Sequence, residues 1–214
     1  AGKHVCTTKP MDLETSICDR AIKIAESKGL VLAVDFDSRY RPVNHQIRSA
    51  LQSGAIGKLV LADLRMKWYR AQGYYDSGRP DAWRSRMVTE RGSMANQAVH
   101  YIDLLQWWMG PVARVVGKRA TLGHTIETED TAMALLEFES GAFGSVATTT
   151  CSFPNLGTHM EFTGGAGTLT WQDQGITRFV AAERVDKKDG DAASYDMAFR
   201  AEAEPVDLDV DTFD

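Results

Sequence analysis

The sequence predicts an α/β plus α+β protein, in which the remnant of a doubly wound parallel sheet precedes a large, mostly antiparallel, open-faced sheet with helices on one side. Three observations predict it. Residues 1–36 read as strand, helix, strand, and the second strand is apolar on both faces, as the covered middle of a parallel sheet requires. Residues 59–69 instead alternate strictly between apolar and polar, the pattern of a strand with one wet face. The 214 residues, 43% of them hydrophobic, are enough to bury roughly 70% of the unfolded surface in one core or two unequal ones.

In chain order, residues 3–7 form a first strand. Ser16-Ile17-Cys18-Asp19 has the spacing of a capping box, and Ile17, Ala21 and Ile24 recur at helical spacing until Lys28-Gly29. The apolar strand 30–36 closes the first unit. Beyond Pro42 a helix over 44–52 stops at Ser53-Gly54. In the alternating strand, Val60, Ala62, Leu64, Met66 and Trp68 share the core face, and Asp63, Arg65, Lys67 and Tyr69 share the other. Residues 70–93 form a long loop whose Tyr74, Tyr75, Trp83 and Arg84 argue for a functional role. A helix over 94–109 follows, then strands over 112–122, 130–139 and 142–151, and two shorter ones over 159–163 and 168–171. The domains expected are 1–36, 37–185 and a loosely ordered acidic tail at 186–214.

The formal charge of -5 comes from interspersed acids and bases and offers no basic face for nucleic acid. Cys6, Cys18 and Cys151 are scattered, without a Cys-x-x-Cys pair to suggest zinc or an even framework to suggest secretion. No membrane association and no metal are expected, and the compartment expected is the cytoplasm. Residue 1 is not methionine and the first strand has no lead-in, so a truncated fragment is expected.

Two segments could carry chemistry. Thr8-Lys9-Pro10 closes a parallel strand, where open α/β sheets place ligands, and Pro10 could fix the geometry through a cis bond. A half-buried lysine there has a lowered pKa and can donate to a substrate hydroxyl; taken alone, Lys9 reads more readily as a surface lysine before a helix. The mostly apolar helix 94–109 carries Asn96, His100 and Asp103 on one face. Such a stripe must find partners or line a cavity, and His100 is the natural acid or base if it lines one.

Together these segments resemble the Gfo/Idh/MocA oxidoreductase family. Thr8-Lys9-Pro10 stands where that family has Glu-Lys-Pro, and Arg39-Tyr40-Arg41-Pro42 stands for its Arg-aromatic-x-Pro segment. The turn Gly54-Ala55-Ile56-Gly57, the helix from Asn96 through His100 and Asp103 to Trp107, Gly110 and Pro111, the run Ile126 to Asp130 and the hairpin Gly164-Gly165-Ala166-Gly167-Thr168 complete the likeness.

The resemblance implies hydride transfer between NAD or NADP and a sugar, sugar acid or polyol hydroxyl. Lys9 and His100 are then the catalytic pair, Asn96, Arg39, Trp83, Arg84 and Tyr75 bind substrate, and Thr8, Lys9 and Pro10 meet the cofactor. The half-apolar open sheet face is expected to pair with a copy of itself, as a homodimer or homotetramer. Thr8 departs from the usual glutamate, and no Gly-x-Gly-x-x-Gly follows a strand, so weak cofactor binding or none is expected of the 214 residues alone. The glycines at 164, 165 and 167 read as a hairpin turn and not as a phosphate loop. Two alternatives stand beside the dehydrogenase: an NAD-dependent glycoside hydrolase of the same family, and a noncatalytic oligomerisation or binding module.

Overall fold

A computed structural model describes residues 2–77, 81–173 and 175–181. The tail expected at 186–214, and the last residues of the second domain, lie outside the described residues. Strands β1 (Val5–Thr8) and β2 (Leu32–Asp35) pair in parallel around helix α1 (Thr15–Ser27). The helix starts one residue before the expected capping box, with Glu14 at its N-cap and no side-chain cap. The Asp12 carboxylate accepts the Glu14 N–H instead and turns the chain into the helix. The strand expected to be covered on both faces is covered on one in part, with Leu32 and Val34 half-buried. Val31 is 59% exposed, and among the described residues β2 has only β1 beside it.

A 3-10 turn (Asp37–Tyr40) leads into α2 (Pro42–Gln52), which begins two residues earlier than expected because Pro42 suits a helix's first turn. The second sheet has seven strands: β3 (Leu59–Lys67), β4 (Val112–Ala120), β5 (Thr131–Phe138), β6 (Phe143–Thr149), β7 (Gly157–Gly164), β8 (Gly167–Gln172) and β9 (Gly175–Ala181), in the order β4-β5-β6-β3-β7-β8-β9. Its pairs are antiparallel except β3 with β6, which is parallel. Strand β9 was not expected; Thr177 and Arg178 interrupt its apolar pattern. A register shift between Leu59 and Leu61 turns Val60 out of the expected core row, leaving it half exposed.

The loop over 70–93 contains a short helix α3 (Gln72–Asp76) and a 3-10 turn (Trp83–Ser85). The expected helix 94–109 is two pieces, a π turn (Ser93–Gln97) and α4 (Val99–Met109). Helices α2 and α4 cover one face of the sheet, where Ile47, Leu51, Leu104, Leu105 and Trp108 pack on Ala62, Leu64, Met160, Phe162, Leu169 and Trp171. On the other face, Arg65 pairs with Glu161, and Ser145 donates to Asp63, while Val116, Met133, Leu135 and Phe143 are exposed. The hairpin joining β7 to β8 sits against the 54–57 turn so closely that a Cβ on Gly164 would stand 2.0 Å from the Ile56 carbonyl oxygen. These glycines serve close backbone packing. Among the described residues no helix is long and apolar enough to cross a membrane.

Candidate active site

Lys9 leaves the C-terminal end of β1 through a cis Lys9-Pro10 bond and crosses to the second sheet's helices. Its Nζ donates to the Asn96 backbone oxygen at 2.7 Å and to Asn96 Oδ1 at 3.1 Å. Two of the three ammonium N–H bonds are thereby directed at Asn96, which leaves a third for another acceptor. Burial lowers the Lys9 pKa from its ordinary value, against the pull of Glu90 and Asp37.

His100, in the first turn of α4, lines a cleft of about 210 Å³ together with Asp37, Ser38, Arg41, Trp68 and Tyr101. Its Nδ1 lies 3.7 Å from Asp37 Oδ1 and is a buried atom without a hydrogen-bond partner. Burial lowers the His100 pKa, the nearby Lys9 charge lowers it further, and Asp37, Asp103 and Asp35 oppose the shift. The imidazole is therefore neutral at pH 7 and able to accept a proton.

Asn96 is placed by the π turn and not by a regular helix. The turn is anchored at its start, where the Ser93 and Met94 N–H groups donate to the Glu129 backbone oxygen and Oε1. The approach requires Gly92, at φ 72°, because a Cβ there would stand 2.2 Å from the Glu129 backbone oxygen. π turns of this kind recur at functional sites because they re-aim side chains out of helical register.

Asp103 faces Arg39, which grips it through two hydrogen bonds of 2.7 and 2.6 Å. The Arg39 guanidinium fork is thereby held by a carboxylate that is itself nearly buried. Tyr75 also stands away from the cluster. It is buried, with its hydroxyl 2.7 Å from Thr150 Oγ1 and its ring against His124. Arg84 lies over the rings of Trp83 and Tyr74, at 4.6 and 4.9 Å, and Arg70 lies over Tyr74 and Trp68. A ladder of rings and guanidinium groups thus runs from the 83–84 turn to Trp68 in the cleft. Thr8 is exposed at the end of β1, and Pro10 is half-buried.

Sequence reading missed Glu90. It is 6% exposed, its Oε1 has no hydrogen-bond partner, and burial pushes its carboxyl up to about 7 against the opposing charges of Lys9 and Arg84. It stands in a loop without periodicity, so no local pattern marked it. Tyr74 and Gln97 belong to the same surround, with Gln97 donating to the Tyr74 hydroxyl.

Residues 44–170 match the GFO/IDH/MocA C-terminal domain. The chain belongs to the Gfo/Idh/MocA family. Among solved members, the WlbA dehydrogenase of Bordetella pertussis, in complex with NADH and UDP-GlcNAcA, is 33% identical with a TM-score of 0.80; the match covers 88% of this chain and 58% of that one. D-apiose dehydrogenase of Paraburkholderia graminis is 27% identical over 175 residues, which is 79% of this chain and 44% of the relative. Inositol 2-dehydrogenase 3 of Saccharopolyspora erythraea is 26% identical over 190 residues, 86% of this chain and 52% of the relative. The chain spans between about a quarter and about half the length of the curated relatives it matches.

Proposed function

We propose that the chain carries the substrate-binding and proton-handling part of an NAD(P)-dependent oxidoreductase acting on a hydroxyl of a sugar, sugar acid or polyol. The observation that carries this is the docking of Lys9 on Asn96, which sets an ammonium from one sheet beside the His100 cleft of the other. The dehydrogenase relatives support the reaction class, and the NADH and nucleotide-linked sugar acid bound to the Bordetella protein support the cofactor and substrate classes.

Thr8, Lys9 and Pro10 fit a cofactor edge, because they close a parallel strand where α/β sheets hold ligands and Lys9 keeps an N–H available. A nicotinamide cofactor, when bound, supplies the hydride acceptor. Lys9 holds the reacting oxygen by its third N–H and favours negative charge there. Neutral His100 takes the hydroxyl proton on oxidation and returns it on reduction. Asn96 cannot titrate; it fixes the Lys9 ammonium. Trp83 and Arg84 form the outer substrate wall, with the ring packing a sugar face.

The test is reduction of NAD and NADP over a panel of sugars, sugar acids and polyols, using the 214-residue chain and the longest reading frame that contains it. Turnover with one class, reduced about 10²–10⁴-fold in His100→Ala, is the expected result. Bound cofactor with no turnover on any substrate would overturn the proposal.

The same reading places a second copy of the chain on the open sheet face, where Val116, Met133, Leu135 and Phe143 are more than half exposed. A solution mass of two or four subunits, lowered by Leu135→Glu, is expected; an unchanged monomer mass for both would rule it out.

A further inference from the structure

His124, Asp130 and Cys151 converge where β5 begins and β6 ends, in a cluster independent of the proposed reaction. His124 Nδ1 lies 3.1 Å from Asp130 Oδ2 and 3.6 Å from Cys151 Sγ, and all three donor atoms lie within 4.8 Å of one another. The His124 and Asp130 side chains are 4% and 0% exposed. We propose that this cluster is a site for a thiophilic divalent cation of the zinc class, which takes one nitrogen, one oxygen and one sulfur ligand from the chain.

The two separations from His124 Nδ1, 3.1 and 3.6 Å, fit that chemistry. Zinc bonds of about 2.0 Å to nitrogen and oxygen and about 2.3 Å to sulfur, opened at tetrahedral angles, put ligand atoms roughly 3.3–3.6 Å apart. The donor set is borderline-soft, which favours zinc over magnesium or calcium.

The surroundings also fit. Metal-ligating histidines usually give their other ring N–H to a carbonyl or carboxylate, and His124 Nε2 lies 2.8 Å from the Arg70 backbone oxygen. Such a carbonyl can only accept, so with a cation bound Nε2 would keep its proton for that carbonyl and the Nδ1 lone pair would face the cation. The Asp130 carboxylate is oriented by the N–H groups of Leu122, Gly123 and His124 at 2.8–3.0 Å. Cys151 is half-buried, which leaves a route in from solvent. Gly123 lets the sulfur approach, because a Cβ there would stand 2.8 Å from Cys151 Sγ.

A bound cation would replace the direct contact of His124 with Asp130 by bonds from both to one centre. Through Arg70 it would also fix the strand exit that carries the Tyr74 and Arg84 stack. Sequence spacing gave no hint of the cluster, since its members are six and twenty-one residues apart in chain order.

The experiment uses Co²⁺ as a spectroscopic probe and Zn²⁺ in competition, on the chain carrying Cys6→Ser and Cys18→Ser so that Cys151 is its one thiol. One cobalt per chain with a thiolate-to-cobalt charge-transfer band, discharged by zinc, is the expected result. Adding Cys151→Ser should abolish the band and weaken zinc binding by about tenfold or more, as even supporting residues do at such sites. His124→Gln, checked by circular dichroism for retained fold, should weaken it likewise. No band and no zinc uptake in the folded single-thiol protein would overturn the site, as would equal zinc affinity after Cys151→Ser; the cluster would then be a hydrogen-bonded support only.

Discussion

Helices α1 and α4 are of similar length and have opposite surroundings. The thirteen residues of α1 bury none of their number, and Ile22 and Ile24 are about half exposed. The eleven residues of α4 bury Leu104, Leu105, Trp108 and Met109. The candidate site is divided between these regions, with Lys9 on the lightly packed unit and His100 on the packed one. Its geometry therefore depends on a few polar ties: Lys9 with Asn96, Arg39 with Asp103, and Arg91 with Glu14. Within these 214 residues, regions with little buried apolar contact are the first to open, so in this chain Lys9 should be the mobile partner and His100 the fixed one.

The comparison can be broken most sharply by truncating apolar side chains on both sides. Phe162→Ala, at a position 1% exposed, should cost about 3–5 kcal/mol in urea denaturation. Ile24→Ala in α1, half exposed, should stay within about 0.5 kcal/mol. Equal costs would show that the first unit is as tightly packed as the second.

A smaller effect sharpens the role of the ties. Arg39→Ala leaves the nearly buried Asp103 carboxylate without its bidentate partner and should cost about 1–2 kcal/mol, because Arg39 itself is 41% exposed and partly screened. Hydrogen exchange should quicken over residues 5–40 and stay unchanged in β7 and β8. Faster exchange confined to the sheet would contradict the division.

The smallest effect concerns pH. Glu90 titrates near 7 in the fold and near 4.5 when free. Between those values the folded state holds a proton that the unfolded chain has released, so this group costs stability progressively as pH rises from about 4.5 to about 7. Glu90→Gln should remove that slope, matching the wild type in Tm near pH 4.5 and exceeding it at pH 8. A variant equally destabilised at both pH values would point to a packing role instead.

Much of the scaffold was legible locally. The alternation of Asp63, Arg65 and Lys67 against Ala62, Leu64 and Met66 gave the two faces of the central strand, because side chains in a strand point alternately whatever lies beside it. The hairpin at Gly164 to Gly167 and the stop of α2 at Ser53-Gly54 were readable for the same reason: turn chemistry is local. Lys9 was legible as a candidate from its place at the end of a parallel strand, and His100 from a polar stripe on an apolar helix.

Tertiary structure alone decided the rest. Residue order cannot say that β6 returns parallel to β3 in the middle of the sheet, since strand partners are chosen by the packing of the whole layer. Nor does it say that Arg39 is held by Asp103, that Tyr75 is buried against His124, or that Glu90 stands by Lys9. The sequence determined which faces are apolar and which groups are able to titrate. Burial and charge neighbours, set by contacts between residues far apart in the chain, 87 positions in the case of Lys9 and Asn96, determined their protonation and what they face, because desolvation and Coulomb interaction act through space and not along the chain.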